Sequence, residues 1–266
     1  MSDSLTSNIL FFDSGVGGLS VYQEVKQTLP DHNYFYLYDN EAYPYGELRE
    51  DVLIDRVLNL VSKIVIQEQI DLVVIACNTA STIALPSLRQ ILSIPVVGVV
   101  PAIKPACRLS NQSVALIATP ATVKRDYINT LINEFSNNVP VVMLGSTTLV
   151  HMAEKKLQGE SVDLELLEQE LAPLINKVDV AVLGCTHFPL IKSEINKVLS
   201  DKVTLIDSGD AVARRVKSLL ANLPSKHRCQ SNKAFATVLD EKSKKLQKCL
   251  ISMGFDSTRL FRYQKI

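Results

Sequence analysis

The sequence predicts an α/β fold of two similar lobes with a site between them. Short apolar runs rich in β-branched residues alternate with stretches of helical spacing. The pattern restarts near residue 100. Two cysteines close near-matching frames, Leu72-Val73-Val74-Ile75-Ala76-Cys77-Asn78-Thr79 and Val180-Ala181-Val182-Leu183-Gly184-Cys185-Thr186-His187. Continuous apolar runs of this kind read as strands buried on both faces. Their alternation with helices predicts parallel-type sheets flanked by helices, in which ligands bind at the carboxyl ends of strands.

Taken in order, Ile9 to Phe12 reads as a first strand, followed by the turn Asp13-Ser14-Gly15-Val16-Gly17-Gly18 and a helix through Gln27. Tyr34 to Tyr38 is a second strand. Leu48 to Glu68 is a helix, with Val52, Leu53, Val57, Leu60, Val61 and Ile64 at helical spacing. A strand over Leu72 to Ala76, a helix from Thr79 to Leu92 and a strand over Ile94 to Val99 follow. After the restart come a strand over Val114 to Ala118, a helix over Val123 to Glu134 and a strand over Val139 to Leu144. Helices at Leu149 to Leu157 and Asp163 to Ile175 precede the strand Val180 to Gly184. The remainder reads as a helix from Pro189 to Leu199, a strand over Val203 to Ile206, a helix from Ala211 to Leu220, a strand over Ala234 to Leu239 and a basic helix through Leu250.

Composition narrows the function classes. Lys+Arg and Asp+Glu are equal at 28 each among 266 residues, and Trp is absent, which disfavours nucleic acid as a partner. No apolar run approaches the roughly 20 residues that span a bilayer, and Met1 to Asn8 has no signal-peptide layout, so no membrane association and a cytoplasmic location are expected. Five cysteines, Cys77, Cys107, Cys185, Cys229 and Cys249, include no Cys-x-x-Cys pair, which argues against a disulfide framework or a structural zinc site.

Singly, a Cys after a buried strand is most often inert packing. Paired, and followed by Asn78-Thr79 and Thr186-His187, the two point to acid–base work. A thiol at the start of a helix is favoured as thiolate, and its ordinary pKa near 8.5 brings both protonation states within reach. Racemisation without a cofactor needs such a pair: one group removes the α-proton and the other returns one to the opposite face. His187, two residues past Cys185, can exchange a proton with it or support the thiolate. Helix-start residues Asn78, Thr79 and Thr186 suit the stabilisation of a carbanion-like transition state. The glycine-rich turn after Asp13 is neither a dinucleotide fingerprint, since Ser20 stands where the third Gly belongs, nor a phosphate loop. Asp13 alone reads equally as a helix cap. Tyr43-Pro44-Tyr45-Gly46-Glu47 is a turn whose Gly N–H could reach a carboxylate. His32, His151 and His227 read as surface residues, Asp207-Ser208-Gly209 as a helix cap, and Lys242, Lys244, Lys245 and Lys248 as a solvated face.

Phe12 to Leu19, Pro44-Tyr45-Gly46, Cys77-Asn78-Thr79-Ala80 and Gly184-Cys185-Thr186-His187-Phe188-Pro189-Leu190, in that order, resemble the signature segments of the glutamate racemases of the aspartate/glutamate racemase family. The resemblance implies interconversion of L- and D-glutamate with no cofactor and no metal, supplying D-glutamate for peptidoglycan. It implies pseudo-twofold related lobes, residues 1–98 plus 211–266 and residues 99–210. It implies that Cys77 takes the α-proton of D-glutamate and Cys185 that of L-glutamate, with Asp13 assisting the first and His187 the second. Glu154, which the sequence alone leaves as a solvated or Lys-paired helix carboxylate, matches a Glu near the second cysteine. Substrate contacts are implied at Asp13, Ser14, Tyr45, Gly46, Asn78, Thr79, Thr186 and His187. Asp39-Asn40-Glu41-Ala42 and Leu144-Gly145-Ser146-Thr147-Thr148 depart from the commoner forms and are similar to the gammaproteobacterial branch. That branch implies a UDP-N-acetylmuramoyl-alanine activator and a monomer or weak homodimer. The rival readings are an aspartate- or hydantoin-type racemase and a non-catalytic sensor of acidic amino acids.

Overall fold

The computed structural model describes residues 6–224, 226–229 and 231–264. The chain divides into two compact units, Met1–Val99 with Gly209–Ile266, and Val100–Ser208.

The first unit contains β1 (Asn8–Asp13), α1 (Leu19–Thr28), β2 (Asn33–Tyr38), α2 (Glu50–Gln67), β3 (Leu72–Ile75), α3 (Asn78–Ile91) and β4 (Val96–Gly98). The second contains α4 (Ile103–Leu109), β5 (Val114–Ala118), α5 (Pro120–Val123), α6 (Asp126–Phe135), β6 (Val141–Gly145), α7 (Thr148–Leu157), α8 (Leu164–Leu171), β7 (Val180–Leu183), α9 (Lys192–Leu199) and β8 (Thr204–Ile206). The chain then returns to the first unit with α10 (Gly209–Leu220), β9 (Lys233–Ala236), α11 (Glu241–Ser252) and β10 (Arg259–Leu260).

The first sheet has the order β10-β9-β2-β1-β3-β4 and the second β6-β5-β7-β8, and all pairings are parallel. β1 and β2 are buried at every position, which explains the apolar and aromatic runs at residues 9–12 and 34–38. Alternate residues face opposite ways. Leu10, Phe12, Phe35, Leu37, Val73 and Ile75 pack with Leu53, Val57, Leu60 and Ile64 of α2 and Ala84 and Leu88 of α3. Phe11 and Tyr36 face the other side, where Phe11 meets Tyr22 of α1 and Tyr36 meets Phe255. In the second unit Val114, Leu116, Val180 and Val182 pack with Ile103 and Ala106 of α4 and Ile128 of α6.

Several boundaries differ from expectation. Val52 lies 42% exposed rather than on the packed face of α2. The stretch 123–134 is two helices: Thr119 caps α5, its hydroxyl oxygen accepting the Thr122 N–H at 3.3 Å, and Arg125 is extended before α6. The Thr-Pro start at 119–120 is the signal that marks this earlier helix. Helix α8 stops at Leu171, two residues before Pro173, whose ring and missing N–H oppose continuation. α4 contains Pro105 at its third position, where a first-turn N–H has no helical acceptor to lose. Among the described residues no helix is long and apolar enough to cross a membrane.

Candidate active site

In the first unit the functional residues gather at the carboxyl ends of adjacent strands. Asp13 ends β1, and Cys77 stands two residues past β3 as the N-cap of α3, where its Sγ accepts the Ala80 N–H at 3.5 Å. Ser14 Oγ lies 3.6 Å from the same sulfur. The Asp13 carboxylate accepts the N–H of Ser14 and of Gly18, each at 2.7 Å, and is almost fully buried. Gly18 is required by close approach: a Cβ there would stand 2.8 Å from Ala76 Cβ and 3.1 Å from Asp13 Cβ. Asn78 and Thr79 begin α3 as buried polar residues, and the Asn78 amide oxygen has no hydrogen-bond partner.

Burial, and then the Asp13 charge, push the Cys77 thiol up to about 12, against the opposing N–H of Ala80 and the Ser14 contacts. Burial and the Asp13 charge outweigh the helix start here, and both favour the neutral thiol.

Tyr45 opens a 3₁₀ turn, Tyr45–Glu47. Its ring is buried 6.3 Å from the Phe12 ring, and its hydroxyl donates to Asp39 at 2.7 Å. The side chain is therefore turned into the core, and Gly46, half-buried, carries the accessible backbone of this turn.

In the second unit β7 leads through Gly184 to Cys185. A Cβ at Gly184 would stand 2.7 Å from Leu116 Cδ1 and 3.1 Å from the Ile117 carbonyl oxygen, so the strand passes β5 only without one. Cys185 Sγ lies 3.8 Å from His187 Nδ1, and His187 Nε2 lies 3.6 Å from Glu154 Oε1 on α7. Cys185, Thr186 and His187 are all buried. Lys156 pairs with Glu194 at 2.8 Å. The start of α7 is held by Glu170, which accepts Ser146 Oγ at 2.5 Å and Thr148 Oγ1 at 3.1 Å. A 3₁₀ turn, Phe188–Ile191, follows Cys185, and α9 begins only at Lys192, so the single helix expected from Pro189 is divided and Cys185 caps no α-helix.

Other expectations change. His227 Nε2 lies 3.1 Å from Asp71 Oδ2, and His32 Nδ1 accepts the Ser7 N–H at 3.2 Å, so neither is a free surface residue, whereas His151 is exposed. Ser208 directs its hydroxyl to the Val100 carbonyl at 2.6 Å, and Asp207 pairs with Lys192 at 3.2 Å. The four lysines of α11 are exposed. Sequence reasoning missed Asp39, although it is the first polar residue after a buried strand, the position that singles out Asp13. Among the described residues no group of three or more His, Cys, Asp or Glu is placed to hold a metal ion.

The family model for Asp/Glu/Hydantoin racemase matches residues 9–216. The chain belongs to the Asp/Glu/hydantoin racemase family. Its racemase relatives include the glutamate racemase of Vibrio campbellii, 58% identical over 264 residues and covering 98% of each chain. The crystal structure of Escherichia coli glutamate racemase, a complex with L-glutamate and the activator UDP-MurNAc-Ala, superposes with a TM-score of 0.93 at 45% identity over 97% of this chain and 98% of that one. The Francisella tularensis glutamate racemase in complex with D-glutamate superposes at 0.78, with 27% identity over 96% and 97%. Both racemase structures share the arrangement of parallel sheets flanked by helices.

Proposed function

We propose that this protein is a glutamate racemase that interconverts L- and D-glutamate by moving protons between the α-carbon and two thiols. The observation that carries the reading is that each of two strand ends holds a buried cysteine beside its own polar partners: Ser14 with Asp13 in one unit, His187 with Glu154 in the other. Identity of 58% to a glutamate racemase over nearly the whole chain supports glutamate as substrate.

For L-glutamate, Cys185 as thiolate takes the α-proton while Cys77 as thiol donates one to the opposite face. For D-glutamate the roles exchange, and His187 and Asp13 take up and return the proton that resets each sulfur. The resting Cys77 thiol is already in the donor state for the L-to-D direction. Glu154 orients the His187 imidazole. Asn78, Thr79, Thr186, Ser14 and the Tyr45-Gly46 backbone hold the substrate's charged ends, and the unpaired Asn78 amide oxygen suits its ammonium group. No cofactor takes part in this scheme. The product serves peptidoglycan synthesis in the cytoplasm, and a UDP-MurNAc-Ala activator, as in the E. coli complex, regulates the enzyme as a monomer or weak dimer.

The test is incubation of each enantiomer with purified protein in D₂O, following circular dichroism and deuterium at the α-carbon. Loss of optical activity from both enantiomers with deuterium incorporation supports the reading. Activity on aspartate in place of glutamate reassigns the substrate. Binding of glutamate without exchange, with and without the activator, replaces the enzyme by a sensor.

A further inference from the structure

Beside the Asp13 strand end lies a buried carboxylate that the proposed reaction does not use. Asp39 directly follows β2, donates its N–H to the Asp13 carbonyl at 3.0 Å, and is 0% exposed. Four donors converge on it: Arg56 Nε at 2.7 Å and Nη2 at 2.8 Å, Tyr45 Oη at 2.7 Å and Thr237 Oγ1 at 2.8 Å. Arg56, on α2, is itself fixed by Glu41 at 2.7 Å and by stacking 4.2 Å above the Tyr263 ring. A guanidinium fork on a carboxylate has one geometry, unlike a point-charge pair. Tyr45, bonded to the same carboxylate, is thereby held relative to α2 and to Cys77, with which it shares one core cluster. The 3₁₀ turn Tyr45–Glu47 has no side-chain cap of its own, and its Tyr45 hydroxyl ties it to this anchor, whereas Asn40–Ala42 is also held by Asn40 on Val238 and Ser243 and by the Glu41 N–H on Thr237. A buried ion pair is weak evidence for stability, because an apolar pair often does as well. What it supplies that an apolar pair does not is direction.

We propose that Asp39 and Arg56 are positioning residues that set substrate affinity by holding the Tyr45-Gly46 backbone beside Cys77. The proposal rests on the racemase reading of the site.

The experiment compares KM and kcat for both enantiomers, the calorimetric Kd for D-glutamate, and the melting temperature in Arg56→Met, Arg56→Lys, Tyr45→Phe and the double variant Asp39→Asn/Arg56→Met. Arg56→Met is expected to raise KM and Kd about tenfold with kcat within about threefold, since displacement of a binding group by about 1 Å has effects of this order or larger. Arg56→Lys recovers part of the affinity. Tyr45→Phe, which removes one hydroxyl and keeps the ring, raises KM by about threefold. The double variant regains the melting temperature that Arg56→Met loses by stranding a carboxylate, yet keeps the high KM. Partial unfolding alone lowers apparent kcat and leaves KM untouched. Unchanged KM and Kd in Arg56→Met, or their return to normal in the double variant together with stability, overturns the proposal. Wild-type protein that binds D-glutamate without turnover overturns the racemase reading alone, and the Kd series still decides the role of the clamp.

Discussion

The two cysteines end the same kind of strand and then part company. Cys77 caps a 14-residue α-helix and sits beside a carboxylate fixed by two backbone N–H groups. Cys185 leads into a four-residue 3₁₀ turn and sits beside an imidazole backed by a carboxylate. A buried anion next to a thiol favours the neutral thiol, whereas an imidazole can take the proton. In the proposed scheme, similar frames in the sequence thus produce one site biased toward donating a proton and one equipped to accept it. L- and D-glutamate have equal free energies, so kcat/KM must be the same in both directions. The asymmetry of the sites is therefore visible only in kcat and KM taken separately.

The largest expected effect treats the sites alike. Cys77→Ser and Cys185→Ser should each lower kcat by about a thousandfold or more in both directions with the fold retained, by far-ultraviolet circular dichroism and melting temperature. Near-normal turnover in either variant ends the two-thiol scheme. Next, His187→Asn should lower kcat for L-glutamate by about a hundredfold and kcat for D-glutamate by less, while kcat/KM falls equally for both. Equal kcat losses break the proposed division of labour. Gly184→Ala, which drives a methyl against Leu116 and the Ile117 carbonyl, should displace Cys185 and lower kcat about tenfold without changing the titration of Cys77.

Cys77 itself provides a pH test. Its raised folded pKa, about 12, means that thiolate absorbance attributable to Cys77, taken as the difference between wild type and Cys77→Ser, is absent below about pH 10. By linkage the folded state is favoured fully below the ordinary thiol pKa and loses this contribution as pH rises toward the folded value. A Cys77 signal near neutrality sinks the donor assignment.

The smallest effect concerns the second unit alone. Asp179 is partly buried, which opposes its ionisation, yet the Ser110 hydroxyl and the N–H groups of Asn111 and Ser113 hold its carboxyl below the usual range. A lowered folded pKa contributes stability that is fully present above the unfolded value near 3.9 and is lost as pH falls from there through the lower folded value. Asp179→Asn should lower the melting temperature by a few degrees at neutral pH, with the difference shrinking below about pH 4. A difference that persists in acid assigns the effect to packing.

Much of this was legible in advance, and the reason differs by feature. Buried parallel strands announce themselves as short unbroken apolar runs, so β1, β3, β5 and β7 were found within a residue or two. Both cysteines and Asp13 were legible because a polar group directly after such a strand has few structural reasons to be there. The partners were not. Asp39 meets Thr237 across 198 residues, and Tyr45 and Arg56 both bond to Asp39, so no local pattern announces the cluster. The state of Cys77 was left open by the sequence because helix-end electrostatics is local, while desolvation depends on the packed fold.

The return of the chain to its first unit bears on synthesis. Residues 100–208 are contiguous, so their four-stranded sheet is complete as soon as β8 emerges. The six-stranded sheet cannot be. Until residues 233–236 are made, β2 is an unpaired edge carrying Phe35 and Leu37, and Asp39 lacks its Thr237 donor. A nascent chain thus holds a finished insert inside an unfinished host, with an open apolar edge that is prone to the wrong partner. Pulse proteolysis of ribosome-stalled chains long enough for β8, but not β9, to clear the exit tunnel should find the second unit protected and the first still cleavable; equal protection would show that the first sheet forms without its returning strand.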